Sequence, residues 1–415
     1  MYNIIKNILR KNKLKEIIAV VCCITMISNV FASNFYYVSN ENQTKTDESS
    51  ISTVATPEFK FQSVSQILME PTTGTILYAN NENEKLLPAS VTKIMTLLLI
   101  MEQIDSGKLK YTDTVTCSLN ASKMGGSQIW FKEGEQLTID EALKAICVVS
   151  ANDVTVAMAE LIGGSEENFV KMMNDKAASL GMVNTHFMNS HGIDEENHYT
   201  TAKDIALMSR ELIINHPDIL KYTSIWMDTL RDGQFGLSST NKLIRYYEGA
   251  TGIKTGSTSQ ALFNLSASAT RNGTTFISVV MKAPSSDIRL EETKQLLNYG
   301  FATYEVKNIC DKGTLIDAIR VNKNVSKEAE IIAQNNVTSL IEKGSKIETE
   351  QRIIVSENLT APLKKDDVVG KIEILEKGTS NIIGSANLIL KEDINKSNFK
   401  EYFKKLFYTY VINRV

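Results

Sequence analysis

Three short strings hold residues that could do chemistry together: Ser90-Val91-Thr92-Lys93, Ser150-Ala151-Asn152 and Lys254-Thr255-Gly256, in that order along the chain. They supply a hydroxyl nucleophile, an amine base, a second hydroxyl to relay protons, and a cation to hold an anion. Residues three apart on a helix share a face, so Lys93 lies one turn on from Ser90 with its amine in reach of the serine oxygen. Burial and a second cation at Lys254 would lower the pKa of Lys93, so that a neutral amine accepts the serine proton. A helix N-terminus at Ser90 favours the negative charge that develops there. Ser150 would relay protons between Lys93 and a leaving amine, and the Asn152 amide would hold a substrate backbone. Lys254 and the Thr255 hydroxyl would bind the terminal carboxylate of a peptide, with Gly256 letting the ligand backbone approach the strand edge.

Taken singly, the strings are weak signals. Ser397-Asn398-Phe399-Lys400 has the same serine–lysine spacing, Ser-x-Asn is often a helix break or cap, and a lone Lys-Thr-Gly is usually a turn. Context separates them. Ser90 opens an apolar run, Ile94 to Met101, of the kind expected for a helix buried within a domain, and Pro88 suits the turn before it. Ser150-Ala151-Asn152 interrupts a second apolar helical pattern between Ile139 and Ile162, and such breaks mark functional or strained sites. The four histidines, His186, His191, His198 and His216, have no zinc-ligand spacing, so no metal is implied. His191 and His198 read as structural loop residues.

The elements that must position these groups follow from periodicity. Ser65–Glu70 and 74–78 predict a hairpin about Pro71-Thr72-Thr73-Gly74, and 166–180 and 202–214 predict amphipathic helices. Strands at 262–270 and 274–281 join at Arg271-Asn272-Gly273, and a helix spans 288–299. Beyond 306 the texture becomes short alternating segments, at 316–321, 331–333, 347–354, 368–375 and 382–390, which predict an all-β domain over 306–392.

Composition sets limits on function. With 415 residues, 43% hydrophobic and 22% charged, the chain can bury a core and hold two domains. A net charge of -3, from 45 basic and 48 acidic residues, offers no global attraction for nucleic acid. The basic residues Lys6, Arg10, Lys11, Lys13 and Lys15, the apolar run 17–27 and Val30-Phe31-Ala32 predict a secretory signal over 1–32. The alternative is an uncleaved anchor, although the run is shorter than the ~20 residues that span a bilayer. Residues 33–57 read as a flexible spacer. Cys22 and Cys23 leave with the signal, and Cys117, Cys147 and Cys310 do not make a disulfide framework; Cys147 suits a packed thiol. Over 393–415, Phe399, Tyr402, Phe403, Leu406, Phe407, Tyr410 and Val411 recur at helical spacing among Lys400, Lys404 and Lys405. That basic amphipathic helix would lie in a lipid interface, or else pack on the β domain.

The ordered strings match the S-x-x-K, S-x-N, K-T-G signature of active-site-serine penicillin-binding proteins and β-lactamases, with Ala151 in place of the usual aspartate. Longer stretches narrow the resemblance: Pro88 to Thr96, Met124-Gly125-Gly126-Ser127-Gln128-Ile129, His191-Gly192, Asn197 to Ala202 and Gly252 to Gly256. Over about residues 60–300 the chain resembles low-molecular-mass penicillin-binding proteins, the serine-type D-alanyl-D-alanine carboxypeptidases. The resemblance implies an α/β (α+β) catalytic domain at 58–305 with the β-lactamase/transpeptidase-like fold, an antiparallel sheet flanked by helices plus a helical lobe. It also implies that Ser90 forms an acyl-enzyme while removing the terminal D-alanine of peptidoglycan stem pentapeptides, and that β-lactams acylate the same serine. The backbone N–H groups of Ser90 and Ser257 would form the oxyanion hole. No metal or organic cofactor is implied, and the C-terminal helix resembles the family's membrane anchor. Leu262 stands where the family often has glycine, and Val154 where alanine is more usual. Arg289 is a further candidate for carboxylate binding. A β-lactamase, a D,D-endopeptidase cutting crosslinks and a catalytically silent wall-binding protein are the rival readings.

Overall fold

The computed structural model describes residues 58–407, apart from Lys346, Ile347 and Asn381. The expected signal, the spacer to Pro57, and Tyr410 and Val411 of the C-terminal stripe lie outside the described residues.

A five-stranded antiparallel sheet organises the first part. Its strands are β1 (Ser65–Glu70), β2 (Thr75–Asn80), β3 (Ala250–Thr258), β4 (Leu262–Arg271) and β5 (Thr274–Ala283), in the order β2-β1-β5-β4-β3. Successive side chains of a strand point to opposite faces. Ile67 and Met69 of β1 and Ile277, Val279 and Met281 of β5 therefore join one core, with the helical lobe. Leu68, Phe276 and Val280 join another, beneath the C-terminal helix of this part. With both faces covered, the strands carry small and hydroxyl side chains as well as apolar ones into the interior, as in Leu265-Ser266-Ala267-Ser268-Ala269 of β4, all buried.

The helical lobe is built around α1 (Lys93–Asp105), in which every residue from Lys93 to Met101 is buried. Around it stand α2 (Asn152–Gly163), α3 (Glu166–Ser179) and α4 (Ala202–Asn215). The expected helical pair over 139–162 forms three pieces: Ile139–Lys144, a wide π-helical turn at Ala145–Val149, and α2. On the other face of the sheet, α5 (Ser286–Thr303) starts two residues earlier and ends four later than its apolar period suggests. Its first turn is capped by Ser285, whose hydroxyl accepts from Ile288 N, so a cap set the start rather than a hydrophobic residue.

Among the described residues seven strands follow. The pair β6 (Tyr304–Cys310) and β9 (Val337–Glu342) was not visible in the sequence. The five-stranded antiparallel sheet, in order β7-β8-β12-β11-β10, comprises β7 (Leu315–Ile319), β8 (Ala329–Ala333), β10 (Thr349–Val355), β11 (Val368–Glu376) and β12 (Ile382–Leu390). It encloses its own core, including Val321, Ile331, Val369, Ile372, Ile374 and Leu388. A last helix, α6 (Phe399–Phe407), leaves Phe399 and Phe403 exposed, their rings stacked 6.5 Å apart. No helix among the described residues is long and apolar enough to cross a membrane.

Candidate active site

Ser90 sits in a tight turn, Ala89–Thr92, that runs directly into α1, so Lys93 is the first residue of the helix. Lys93 is fully buried, and its Nζ lies 3.0 Å from Ser90 Oγ, 2.6 Å from Asn152 Oδ1 and 2.6 Å from the His191 carbonyl oxygen. Burial holds its pKa well below the ordinary lysine value; Lys254 lowers it further and Asp153 opposes both. Two of the three neighbours, an amide oxygen and a carbonyl, can only accept. A neutral amine satisfies both with its two N–H bonds and keeps its lone pair for the serine.

The interrupted helix has a definite job. Ser150 adopts left-handed backbone angles, φ 64 and ψ 35, where the π-helical turn ends. This kink turns α2 so that Asn152 meets Lys93. The loop ahead of it is fixed by Asp153, whose Oδ2 accepts from Ile129 N at 3.0 Å and Phe131 N at 2.9 Å. Asn152 N donates to the Ser127 carbonyl at 2.7 Å. The Ser150 hydroxyl is buried without a hydrogen-bond partner among the described residues. It makes no bond to Lys93, whose partners among the described residues are Ser90, Asn152 and the His191 carbonyl. The Asn152 amide, expected to hold substrate, is engaged at both ends by protein: its Oδ1 with Lys93, its Nδ2 donating to the Gly125 carbonyl at 2.7 Å.

Strand β3 brings the third string to the same place. Lys254 is buried, donates to the Thr255 carbonyl at 3.0 Å, and has its pKa pushed down to about 7, chiefly by burial; Cys147 opposes the shift and Arg289 adds to it. The Thr255 hydroxyl meets the Thr240 hydroxyl at 2.7 Å, a partner that no sequence motif marks. Gly256 also has a reason within the fold. A Cβ there would come within 2.8 Å of the Pro88 carbonyl oxygen and 3.0 Å of Ser90 N, so the glycine lets the strand pack on the nucleophile's own turn. Gly192 presses on that turn from the other side, where a Cβ would stand 1.9 Å from the Ala89 carbonyl oxygen. Ser257 follows on β3, exposed and opposite Phe263.

Surrounding residues lock this arrangement. The Asn264 amide donates to the Leu87 and Pro88 carbonyls at 2.9 and 3.0 Å, tying β4 to the serine turn. Arg289 is buried and its Nη1 donates to the Asn264 carbonyl at 2.9 Å, with its Nε left unpartnered. His198 accepts from Met188 N at Nδ1, so its Nε2 carries the proton and donates to Thr92 Oγ1 at 2.8 Å. Burial pushes the pKa of His198 down to about 4 and that of His191 to about 3, so both are neutral supports. Leu262 adopts φ 54, which explains why the resembling family often has glycine there.

A hydroxyl nucleophile touching a buried, depressed-pKa lysine, between a helical lobe and a sheet edge, defines an active-site-serine enzyme of the Ser–Lys type. A family model described as D-alanyl-D-alanine carboxypeptidase matches residues 51–285, and one described as the C-terminal domain of penicillin-binding protein 5 matches residues 304–396. The D-alanyl-D-alanine carboxypeptidase DacF of Bacillus subtilis is 39% identical over 354 residues, 84% of this chain and 90% of that protein. DacC of Escherichia coli is 33% identical over 344 residues, 80% of this chain and 84% of its own length. Among solved structures, penicillin-binding protein 5 of Haemophilus influenzae superimposes with a TM-score of 0.69 at 33% identity, covering 82% of this chain and 99% of that one. The ampicillin-bound penicillin-binding protein D2 of Listeria monocytogenes gives 0.55 at 28% identity, covering 59% and 99%. The chain belongs to the D-alanyl-D-alanine carboxypeptidase family, and is a serine-type hydrolase.

Proposed function

We propose that this chain removes the terminal D-alanine from peptidoglycan stem pentapeptides, with Ser90 as nucleophile and Lys93 as general base. The observation that carries the reading is the buried Lys93 Nζ, 3.0 Å from Ser90 Oγ and held by two acceptors. Ser90 Oγ attacks the carbonyl between the two D-alanines and its proton passes to Nζ. Backbone N–H groups of Ser90 and Ser257 stabilise the oxyanion. As the C–N bond breaks, the proton reaches the departing D-alanine amine by way of Ser150, whose unpartnered hydroxyl is free to turn. Water then attacks the ester, gives a proton to Lys93 and releases the shortened peptide, restoring Ser90.

Lys254, Thr255 and Gly256 form the edge against which the terminal carboxylate lies, with Arg289 behind them. Asn152 reaches substrate by exchanging its bond to Gly125, and meanwhile orients Lys93. β-Lactams acylate Ser90 by the same attack, a reading supported by the ampicillin-bound relative. In this account residues 1–32 export the chain, 33–57 space it, 58–305 form the catalytic domain and 306–392 the β domain. The C-terminal segment 393–415, whose described helix is α6 (Phe399–Phe407), rests on the outer face of the cytoplasmic membrane. The exposed Phe399 and Phe403 beside Lys400, Lys404 and Lys405 support that last assignment.

The test is release of free D-alanine from diacetyl-L-Lys-D-Ala-D-Ala by residues 58–415, beside Ser90→Ala. Release by wild type that vanishes in the variant supports the reading; no release by wild type, with penicillin labelling of Ser90 retained, contradicts it.

A further inference from the structure

The sheet of the C-terminal part ends in two edge strands, β7 and β10. A sheet edge offers unpaired backbone N–H and C=O groups to any passing strand, and proteins blunt such edges with bulges, proline or lysine. β7 is blunted in this way: its register slips between Leu315 and Asp317, and the Asp317 carboxylate accepts from Ala318 N at 2.7 Å. β10 is not. It pairs with β11 over Thr349–Val355 without a register shift, contains no proline, lysine or glycine, and is exposed from Thr349 to Ile354. Ile353 and Ile354 are each 38% exposed.

The ladder to β11 decides which backbone groups face outward. Ser356 N donates to the Val369 carbonyl and Lys377 N to the Glu348 carbonyl, both at 2.8 Å, which makes Glu348 and Ser356 hydrogen-bonded positions of the antiparallel pair. Such positions alternate along a strand. Glu350, Arg352 and Ile354 therefore turn their backbone groups toward β11, while Thr349, Gln351, Ile353 and Val355 turn theirs to the outer edge. No strand pairs with that edge among the described residues.

The charges on β10 complement a second copy of the same strand. Laid antiparallel about a two-fold axis on Glu350 or on Arg352, two copies would set like charges face to face, which is unfavourable. Only an axis on Gln351 opposes Glu350 to the partner's Arg352, and symmetry makes that contact twice. It falls at a non-hydrogen-bonded pair, where opposed Cα atoms are closest, about 4.5 Å apart. Arg352 has capacity for it: its Nε and Nη2 donate to Glu373, which leaves Nη1, and its side chain is half exposed. Glu350 is exposed and forms no ion pair among the described residues. With the same axis, Thr349, Gln351 and Ile353 meet the partner's Ile353, Gln351 and Thr349, each pair exchanging two backbone hydrogen bonds.

We propose that β10 is the docking edge for a second copy of this chain, which adds its own β10 antiparallel about a two-fold axis at Gln351 and joins the two sheets into one. A single strand pair is narrower than a standard interface, so the dimer is weak and concentration-dependent.

The test uses the full chain purified in detergent. Opposed residues of a hydrogen-bonded pair have Cα atoms about 5.5 Å apart, within disulfide range, so Gln351→Cys should form a disulfide-linked dimer on mild oxidation. Mass mapping should place the link between the two peptides that contain position 351. Glu350→Cys, which faces Arg352 rather than itself, should not link, and wild type treated alike reports the native cysteines. In sedimentation over a concentration series, wild type should dimerise reversibly. Gln351→Pro deletes both hydrogen bonds at the axis and spares the ladder to β11, while Glu350→Arg sets like charges face to face; each should weaken the dimer about tenfold. Penicillin labelling of Ser90 reports a folded chain in every variant and should not change, so the outcome is separate from that of the proposed function. A wild type that stays monomeric without a link in Gln351→Cys overturns the proposal. So does a dimer that Gln351→Pro and Glu350→Arg leave unweakened, since it would use another surface.

Discussion

Around Ser90, Lys93 and Lys254 are buried with no carboxylate of the described residues in ion-pairing contact, whereas in the C-terminal sheet the buried Glu373 is held by Arg352 and Lys371. Glu373 Oε2 accepts from Arg352 at 2.5 and 2.8 Å, and Oε1 lies 2.5 Å from Lys371. The hydrogen bond from Lys371 leads the effects that hold its carboxyl below the ordinary glutamate range. In the sheet, then, buried charge is neutralised and serves stability. At the serine it is left unneutralised, so that desolvation makes one lysine a base and leaves the other poised to accept a carboxylate. Stability is given up there in exchange for reactivity.

Removing the base should have the largest effect. Lys93→Met is expected to lower kcat by about a thousandfold or more while leaving the fold intact, since it replaces a buried amine by an apolar side chain of similar length. A comparable rate in the variant, read by D-alanine release, would break the contrast.

Lys254 sharpens it through pH. Its pKa is about 7 when folded and 10.5 ordinarily, so between those values the unfolded chain binds the extra proton and stability rises with pH. Over pH 7 to 9, Lys254→Met should flatten part of that rise in denaturant midpoints. In wild type, kcat/KM should fall above about pH 7, as the free enzyme loses the charge that attracts the substrate carboxylate.

Glu373 makes the opposite prediction. Its lowered pKa contributes stability above the ordinary glutamate value, and that contribution is lost as pH falls through the folded value. Glu373→Gln should cost about 1 kcal/mol at neutral pH, because Arg352 and Lys371 are half exposed and regain water. Carboxypeptidase turnover should be unaffected.

The smallest effect is at Leu262. With φ 54, glycine should be tolerated or slightly stabilising, by about 0.5 kcal/mol, as relief of left-handed strain exceeds the added chain entropy. A loss of more than that in thermal unfolding would show that the half-buried leucine side chain outweighs the strain.

The comparison also explains what the sequence made legible. Ser90, Lys93, Asn152, Lys254, Thr255 and Gly256 could be picked out because their three strings stand in the order of the serine penicillin-binding-protein signature, and the structure sets Lys93 against Ser90 and Asn152 and packs Gly256 on the Ser90 turn. The sheet strands β4 and β5 and the helices of the lobe were legible by period. Three things were not. The partners Thr240, Gly125 and the His191 carbonyl act through backbone or an ordinary hydroxyl, which carries no spacing signal. The packing of Gly256 on the Ser90 turn was hidden because that close approach is a tertiary fact. Strands β6 and β9 pair across a long separation, and the polar Lys307 and Asn308 hid the alternation in the first of them.

The most direct test of the central claim, that the unpaired lysine activates Ser90, is trapping the acyl-enzyme. Wild type and Lys93→Met would be mixed with penicillin, digested, and the labelled peptide identified by mass. The account predicts rapid addition of one penicillin to the peptide containing Ser90 in wild type, and addition slowed by orders of magnitude in Lys93→Met. Equal labelling rates in the two proteins, or label on any other serine, would contradict it.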